Sequence, residues 1–218
     1  DFLNIYFNYN FTPNIIIIIF IYIQLSINNS PELGFITLRL GVRYKKEINS
    51  SIENLWKLIS SPGHLNLVHP FCKKNYPIVW EENNHKDVLI YLNGLKYERE
   101  FTNWEKYSGY SLLIGNSVNK KSKVDWTIET KNNLTFLTIT VYPYLYENLP
   151  KLFYKLIFYI IINPMLKKYL KSVLCGIEWH ILNDKPVKKN MFGKHLWFSK
   201  FWFYKLLYRF QTFNIFQK

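Results

Sequence analysis

Alanine is absent from this chain of 218 residues, only four of its 28 basic residues are arginine, and cysteine occurs twice. The missing alanine accompanies an abundance of Ile, Asn, Lys, Tyr and Phe, the drift of an AT-rich genome, so composition by itself names no activity. Arginine grips phosphate with paired hydrogen bonds, and its scarcity argues against a nucleic-acid surface. Cys72 and Cys175 belong to no Cys-x-x-Cys or Cys/His ligand spacing. That excludes a disulfide-stapled fold and a zinc site, and it points to a reducing, cytoplasmic compartment. No glycine-rich phosphate loop, Gly-x-Ser-x-Gly elbow or His-Glu-x-x-His helix occurs, so hydrolases and nucleotide-dependent enzymes lose their signatures. Neither a cofactor nor a metal is expected. What is present is 49% hydrophobic and 19% aromatic residues, enough for one globular core and too many for a disordered or collagen-like chain.

The net charge of +13 is unevenly distributed. Residues 1–41 sum to −1, residues 42–148 to +3, and residues 149–218 to +11, with 13 bases against only Glu178 and Asp184. A solvated lysine excess would be spread, whereas clustering marks a face with an acidic partner.

Ile15 to Ile23 is an unbroken apolar run, followed by Gln24 and Ser26. It is too short to span a bilayer with confidence. A secretory signal is rejected, because the first base is Arg39 and no small-residue cleavage site follows. The first residue is Asp1 rather than Met, which reads as a fragment, a processed product or a frame extended upstream of the true start. Residues 1–41 are read as an apolar extension, either outside the functional domain or a membrane-touching anchor.

From Val42 the pattern becomes regular. Val42, Tyr44, Lys46 and Ile48 alternate with Arg43, Lys45 and Glu47, the period of a strand with one covered face. Ser50 or Ser51 then caps a helix carrying Ile52, Leu55, Trp56 and Ile59, which Ser61-Pro62-Gly63 ends. A short helix or turn follows over His64–His69. Six further strands are expected over Tyr76–Glu81, Asp87–Leu92, Tyr97–Trp104, Tyr110–Gly115, Lys123–Thr130 and Leu134–Tyr142, with Asn93-Gly94 a strong hairpin turn. A helix is expected after Asn148 and Pro150, with an apolar stripe through Leu166, Leu170, Val173, Ile177 and Ile181 opposite Lys167, Lys168 and Lys171. Pro164 should kink or restart it.

This order resembles the SRPBCC (START/Bet v 1-like, polyketide cyclase/dehydrase) superfamily. The likeness is carried by the run Tyr44 to Ile59 with its Leu55-Trp56 pair, by the strand Leu95–Trp104, and by Leu174-Cys175-Gly176-Ile177-Glu178 near the helix end. Ser50-Ser51 departs from the small-residue-plus-proline step commoner in such proteins, and Lys185–Ser199 looks like the tail of an uncharacterised bacterial branch. The resemblance implies an α+β helix-grip fold, in which a seven-stranded curved antiparallel sheet wraps a long C-terminal helix and two short helices follow the first strand. It also implies an apolar cavity between sheet and helix that admits a hydrophobic small molecule or lipid. Carriers, sensors and cyclase-type enzymes all share such a fold, so it does not choose among them. The domains are then 1–41, an extension; 42–184, a ligand-binding domain; and 185–218, a basic aromatic tail.

Parity groups Tyr97, Arg99, Phe101 and Asn103 on one face of their strand and Glu98, Glu100 and Trp104 on the other. Facing inward, Arg99 requires a carboxylate, from a ligand or from the protein itself; facing outward at the sheet edge, it reaches solvent. Tyr44, Trp56 and Trp126 project toward the same interior, as ligand contacts or as core. His69, before Pro70, is the one acid–base candidate, beside Cys72, which is otherwise an inert thiol. An enzyme reading uses His69 or Arg99 with Tyr91 or Tyr97 to polarise a carbonyl. Glu81 and Glu82 point to opposite faces and cannot pair, while Glu178, His180 and His195 are given surface roles. After Asp184 there is no acid, and Lys200, Trp202, Lys205 and Arg209 stand among Phe, Tyr and Leu residues. An anionic membrane surface suits that mixture, with packing on residues 1–27 as the alternative; single-stranded nucleic acid ranks lower.

Overall fold

A computed structural model describes residues 40–116, 121–144 and 151–199. Its contacts divide the chain into two units, 1–38 with 145–158, and 39–144 with 159–218. Of the first unit, the described part is helix α3 (Lys151–Ile157) and Phe158. The expected cap at Asn148 and the apolar run Ile15–Ile23 lie outside the described residues.

The second unit begins with β1 (Val42–Ile48) at the bounds its alternation predicts. Ser51, extended at φ −70° and ψ 158°, then accepts a hydrogen bond from the Asn54 amide at 3.2 Å and so caps α1 (Ile52–Ile59). Leu55, Trp56 and Ile59 form the buried face of α1. Gly63, at φ 71°, turns the chain into the single turn α2 (Leu65–Val68). Six strands follow: β2 (Cys72–Glu81), β3 (Asn84–Tyr91), β4 (Lys96–Glu105), β5 (Gly109–Gly115), β6 (Ser122–Lys131) and β7 (Leu134–Tyr142). They form one antiparallel sheet in the order β1-β7-β6-β5-β4-β3-β2, a meander whose last strand closes against the first.

Two bulges interrupt β2 and one interrupts β4, and bulges bend a sheet. The one between Phe101 and Asn103 corrects the parity of β4. Strict alternation would put Asn103 beside Arg99 and turn Trp104 outward. The extra residue reverses the phase, so Trp104 pairs with Tyr110 and joins the inner face while Asn103 is exposed.

A π-helical turn, Phe158–Ile162, precedes α4 (Asn163–Asn183). Pro164 lies in the first turn of α4, where its missing N–H has no intrahelical role, so the helix restarts there as its sequence predicts. Leu166, Leu170, Val173, Leu174 and Ile177 are buried as α4 lies against β1, β7 and α2, and Lys167, Lys168 and Lys171 are exposed. At Gly176 the contact with α2 is backbone to backbone: a Cβ there would stand 2.1 Å from the Val68 carbonyl oxygen. Asp184, left-handed at φ 50°, ends the helix.

Beyond it the chain doubles back over the domain. The Val187 amide donates to Leu67 O at 2.8 Å and the Asn190 amide to Pro70 O at 2.9 Å, while the Lys189 ammonium reaches Cys72 O. The Asn93 amide and side chain then hold Phe198 O and Trp197 O at 3.2 and 2.7 Å. Residues 185–199 are thus a strap bound to α2, β2 and the β3–β4 turn. His195, within that strap, is wholly buried, which corrects the expectation of a surface role. No helix among the described residues is long and apolar enough to cross a membrane.

Candidate functional site

A buried ion pair is the first element of the site. The β3–β4 hairpin turns about Asn93, so its register sets Asp87 directly opposite Arg99. Arg99 is 3% exposed and Asp87 not at all. Arg99 Nε donates to Asp87 Oδ1 at 2.7 Å, and Nη2 donates to Oδ2, a bidentate grip. From β2, Asn75 Nδ2 donates to Asp87 Oδ2 and to Val88 O, both at 3.0 Å. Burial pushes the Asp87 carboxyl up, but the Arg99 charge and these hydrogen bonds outweigh it and leave Asp87 below the ordinary carboxylate range. The internal carboxylate that an inward Arg99 requires is therefore Asp87.

Around this pair stands an aromatic wall. Tyr110 stacks on Trp126 at 5.3 Å and on Trp104 at 5.3 Å. Trp104 in turn stacks on His85 at 3.9 Å and meets the edge of Trp56 from α1 at 5.4 Å. Phe101 touches Tyr110 at 5.1 Å and lies under the Arg99 guanidinium at 5.3 Å, a cation–π contact. His64 meets Trp126 edge-on at 6.1 Å. Its Nδ1 donates to Ser61 O at 2.9 Å, which fixes the tautomer and leaves Nε2 as a bare lone pair. Burial, then the Arg99 charge, lowers the His64 pKa to about 3. Both His64 Nε2 and the Tyr110 hydroxyl are buried without a hydrogen-bond partner.

A second cluster lies under the strap. The Phe71 amide donates to His69 Nδ1 at 3.1 Å, so the proton of neutral His69 is on Nε2, which donates to the Tyr169 hydroxyl at 2.8 Å. Tyr169 and Tyr91 share a hydroxyl contact of 3.2 Å. This chain has three protons and two hydrogen bonds, so one tyrosine O–H remains to be given. Burial lowers His69 to about 3, and burial raises Tyr169 to about 12 and Tyr91 well above its ordinary value. The cluster is a neutral proton donor at physiological pH. Phe198 of the strap stacks on Tyr91 at 4.3 Å and on His195 at 5.1 Å, and Tyr97 meets Tyr91 at 5.7 Å.

The fold thus gathers Trp56, Arg99, Phe101 and Trp126 into one cluster and His69 and Tyr97 into the other. Tyr44 is half-buried on β1 and, among the described residues, joins neither. Cys72 hydrogen-bonds Asn66 at 3.8 Å rather than His69, and burial pushes its thiol up to about 11, so no Cys/His dyad forms. Lys200, Trp202, Lys205 and Arg209 lie outside the described residues. No group of three or more potential metal ligands occurs among the described residues. The residues that pattern alone passed over are Asp87, Asn75, His64, Tyr110 and Tyr169. For Asp87 a signal existed: it and Arg99 each lie six residues from Asn93 in the turn.

The order strand, two short helices, six meandering strands, long helix, with the first strand closing on the seventh, decides the architecture. The fold is a helix-grip, SRPBCC-like fold. Solved structures agree. TTHA0849 from Thermus thermophilus aligns with 66% of this chain and 99% of its own at 15% identity and a TM-score of 0.52. DynU16, from the dynemicin biosynthetic locus, aligns with 67% of this chain at 14% identity and a TM-score of 0.51, and this chain spans 48% of its length. No family model matches the sequence, and no curated protein is similar to it. Identities this low speak to the fold alone.

Proposed function

We propose that this helix-grip domain binds a hydrophobic small molecule or lipid between the sheet and α4, as a carrier or sensor. One observation carries the reading. Asp87, Arg99, Asn75, His64 and Tyr110 are buried together among aromatic rings, where a purely structural core of the same volume would be at least as stable with apolar side chains. Retaining them fits an interior that meets a guest with a polar end. Native mass spectrometry of the purified protein, released without denaturant, is expected to show a retained apolar compound. A bare polypeptide mass, together with no binding of added long-chain alcohols or lipids, would refute the reading.

The uncommitted hydroxyl of the Tyr91–Tyr169 pair favours a second reading, a polyketide cyclase/dehydrase-like enzyme. Tyr91, kept protonated by burial, would donate a hydrogen bond to a substrate carbonyl, with His69 holding the Tyr169 hydroxyl in place through Nε2. Turnover that disappears in Tyr91→Phe while ligand retention survives would favour the enzyme over the carrier.

A further inference from the structure

We infer that His64 Nε2 and the Tyr110 hydroxyl form the polar end of the ligand site and receive a neutral group that both donates and accepts a hydrogen bond, in its simplest form the hydroxyl of an otherwise apolar molecule. The inference rests on the ligand-binding reading above and names the chemical class that the site takes. His64 and Tyr110 are 1% and 2% exposed, and neither polar atom meets a partner in hydrogen-bond geometry, although the Tyr110 hydroxyl stands near the Arg99 guanidinium. Native interiors rarely leave such atoms unpaired, because each forfeits its hydration without replacement. Two unpaired atoms flanking the same Trp126 ring indicate one missing group rather than two unrelated defects.

Their chemistry is complementary. The His64 tautomer set by Ser61 O makes Nε2 an acceptor only, so the guest must bring a donor. The Tyr110 hydroxyl can donate in return. A carboxylate brings no donor, and Arg99 is already neutralised by both oxygens of Asp87, so the charge would enter uncompensated. An ammonium would face the Arg99 guanidinium. An ether or ketone would leave His64 Nε2 bare. A hydroxyl satisfies both atoms.

The test uses the full chain stripped of any retained compound and three probes of equal length: 1-decanol, decyl methyl ether and decanoate, titrated by tryptophan fluorescence. Decanol is expected to bind about tenfold more tightly than the ether, because the ether leaves a buried acceptor unpaired, and more tightly than decanoate. Tyr110→Phe removes one oxygen and nothing else. It should weaken decanol and the ether alike, because both accept from the Tyr110 hydroxyl, while the decanol preference, which rests on donation to His64 Nε2, stays in place. It should also raise the Tm of the empty protein by about 3 °C, since an unsatisfied hydroxyl is gone; a hydroxyl with only a structural partner, or one bridged by a resident water, would give a lower Tm instead. Equal affinity for decanol and ether, preference for decanoate, or a Tm that falls in Tyr110→Phe each overturn the inference and leave the ligand-binding reading standing. Binding of none of the three probes removes both.

Discussion

Four histidines are buried; in three of them, His64, His69 and His195, burial is the leading reason that the pKa falls to about 3, 3 and 4, and in His85 burial lowers it as well. In the unfolded chain each titrates near its ordinary value of about 6.5. Between there and the folded values the unfolded state binds more protons, so stability is complete above about pH 6.5 and declines as pH falls. Each histidine contributes a slope of about 1.4 kcal/mol per pH unit, and the three together about 4. By pH 5 the loss is about 6 kcal/mol, comparable to the whole stability of a small domain. Asp87 acts in the same direction but later: its folded pKa lies below the ordinary value, so its contribution is present above about pH 4 and lost only beneath that. Urea unfolding followed by circular dichroism is expected to show most of the stability gone by about pH 5, and His195→Gln to reduce the slope by about a third. A flat profile from pH 7 to pH 5 would contradict the buried neutral rings.

The ion pair gives a second test at this scale. Removing one partner, as in Arg99→Met, strands Asp87 and should cost about 3–5 kcal/mol, whereas Arg99→Met with Asp87→Leu should recover most of it. A ligand whose affinity collapses in the stable double variant would implicate the pair in binding directly.

At the scale of elements, the approach of α2 to α4 depends on one missing side chain. Replacing a helical glycine by alanine ordinarily stabilises by about 1 kcal/mol. Gly176→Ala is expected to do the opposite, because its Cβ would stand 2.1 Å from the Val68 carbonyl oxygen and separate α4 from α2. A Tm several degrees lower than that of the unaltered protein is the expected result, and a higher Tm would mean that the two backbones are further apart. The strands show what local pattern can and cannot carry. β1, α1 and β7 have the bounds that alternation and the Ser51 cap predict, since period and capping act within a few residues. β2 begins at Cys72, four residues before its pattern, because Asn75 is held by Asp87, Val88 and Asn66, contacts with no trace in local alternation. The bulge that turns Trp104 inward is equally silent in sequence, as it is settled by what β5 offers opposite.

For the whole molecule, the charge is unevenly distributed along the sequence. With 13 bases and two acids from residue 149 onward, the C-terminal third is expected to draw the protein to anionic bilayers, a source of apolar guests. Sedimentation with vesicles containing phosphatidylglycerol should be salt-sensitive and should weaken by about tenfold or more when Lys200, Lys205 and Arg209 are replaced by glutamate, each charge being worth roughly 1 kcal/mol at the surface. Equal binding to neutral vesicles would remove the membrane from the reading.

The sequence by itself determined the elements, their order and hence the helix-grip architecture. Period-two alternation, the Ser51 cap, the Asn93-Gly94 turn and the position of Pro164 are local constraints, and together they admit few topologies. For Arg99 it left two places open, inward against a carboxylate or at the sheet edge in solvent. Only the tertiary structure decided which one, and only it set His64 and Tyr110 against the same indole, drew the strap over His69 and Tyr91, and buried His195. Such pairings join residues far apart in the chain, and their energies depend on register, bulges and desolvation, which exist once the sheet has closed and in no shorter stretch of the chain.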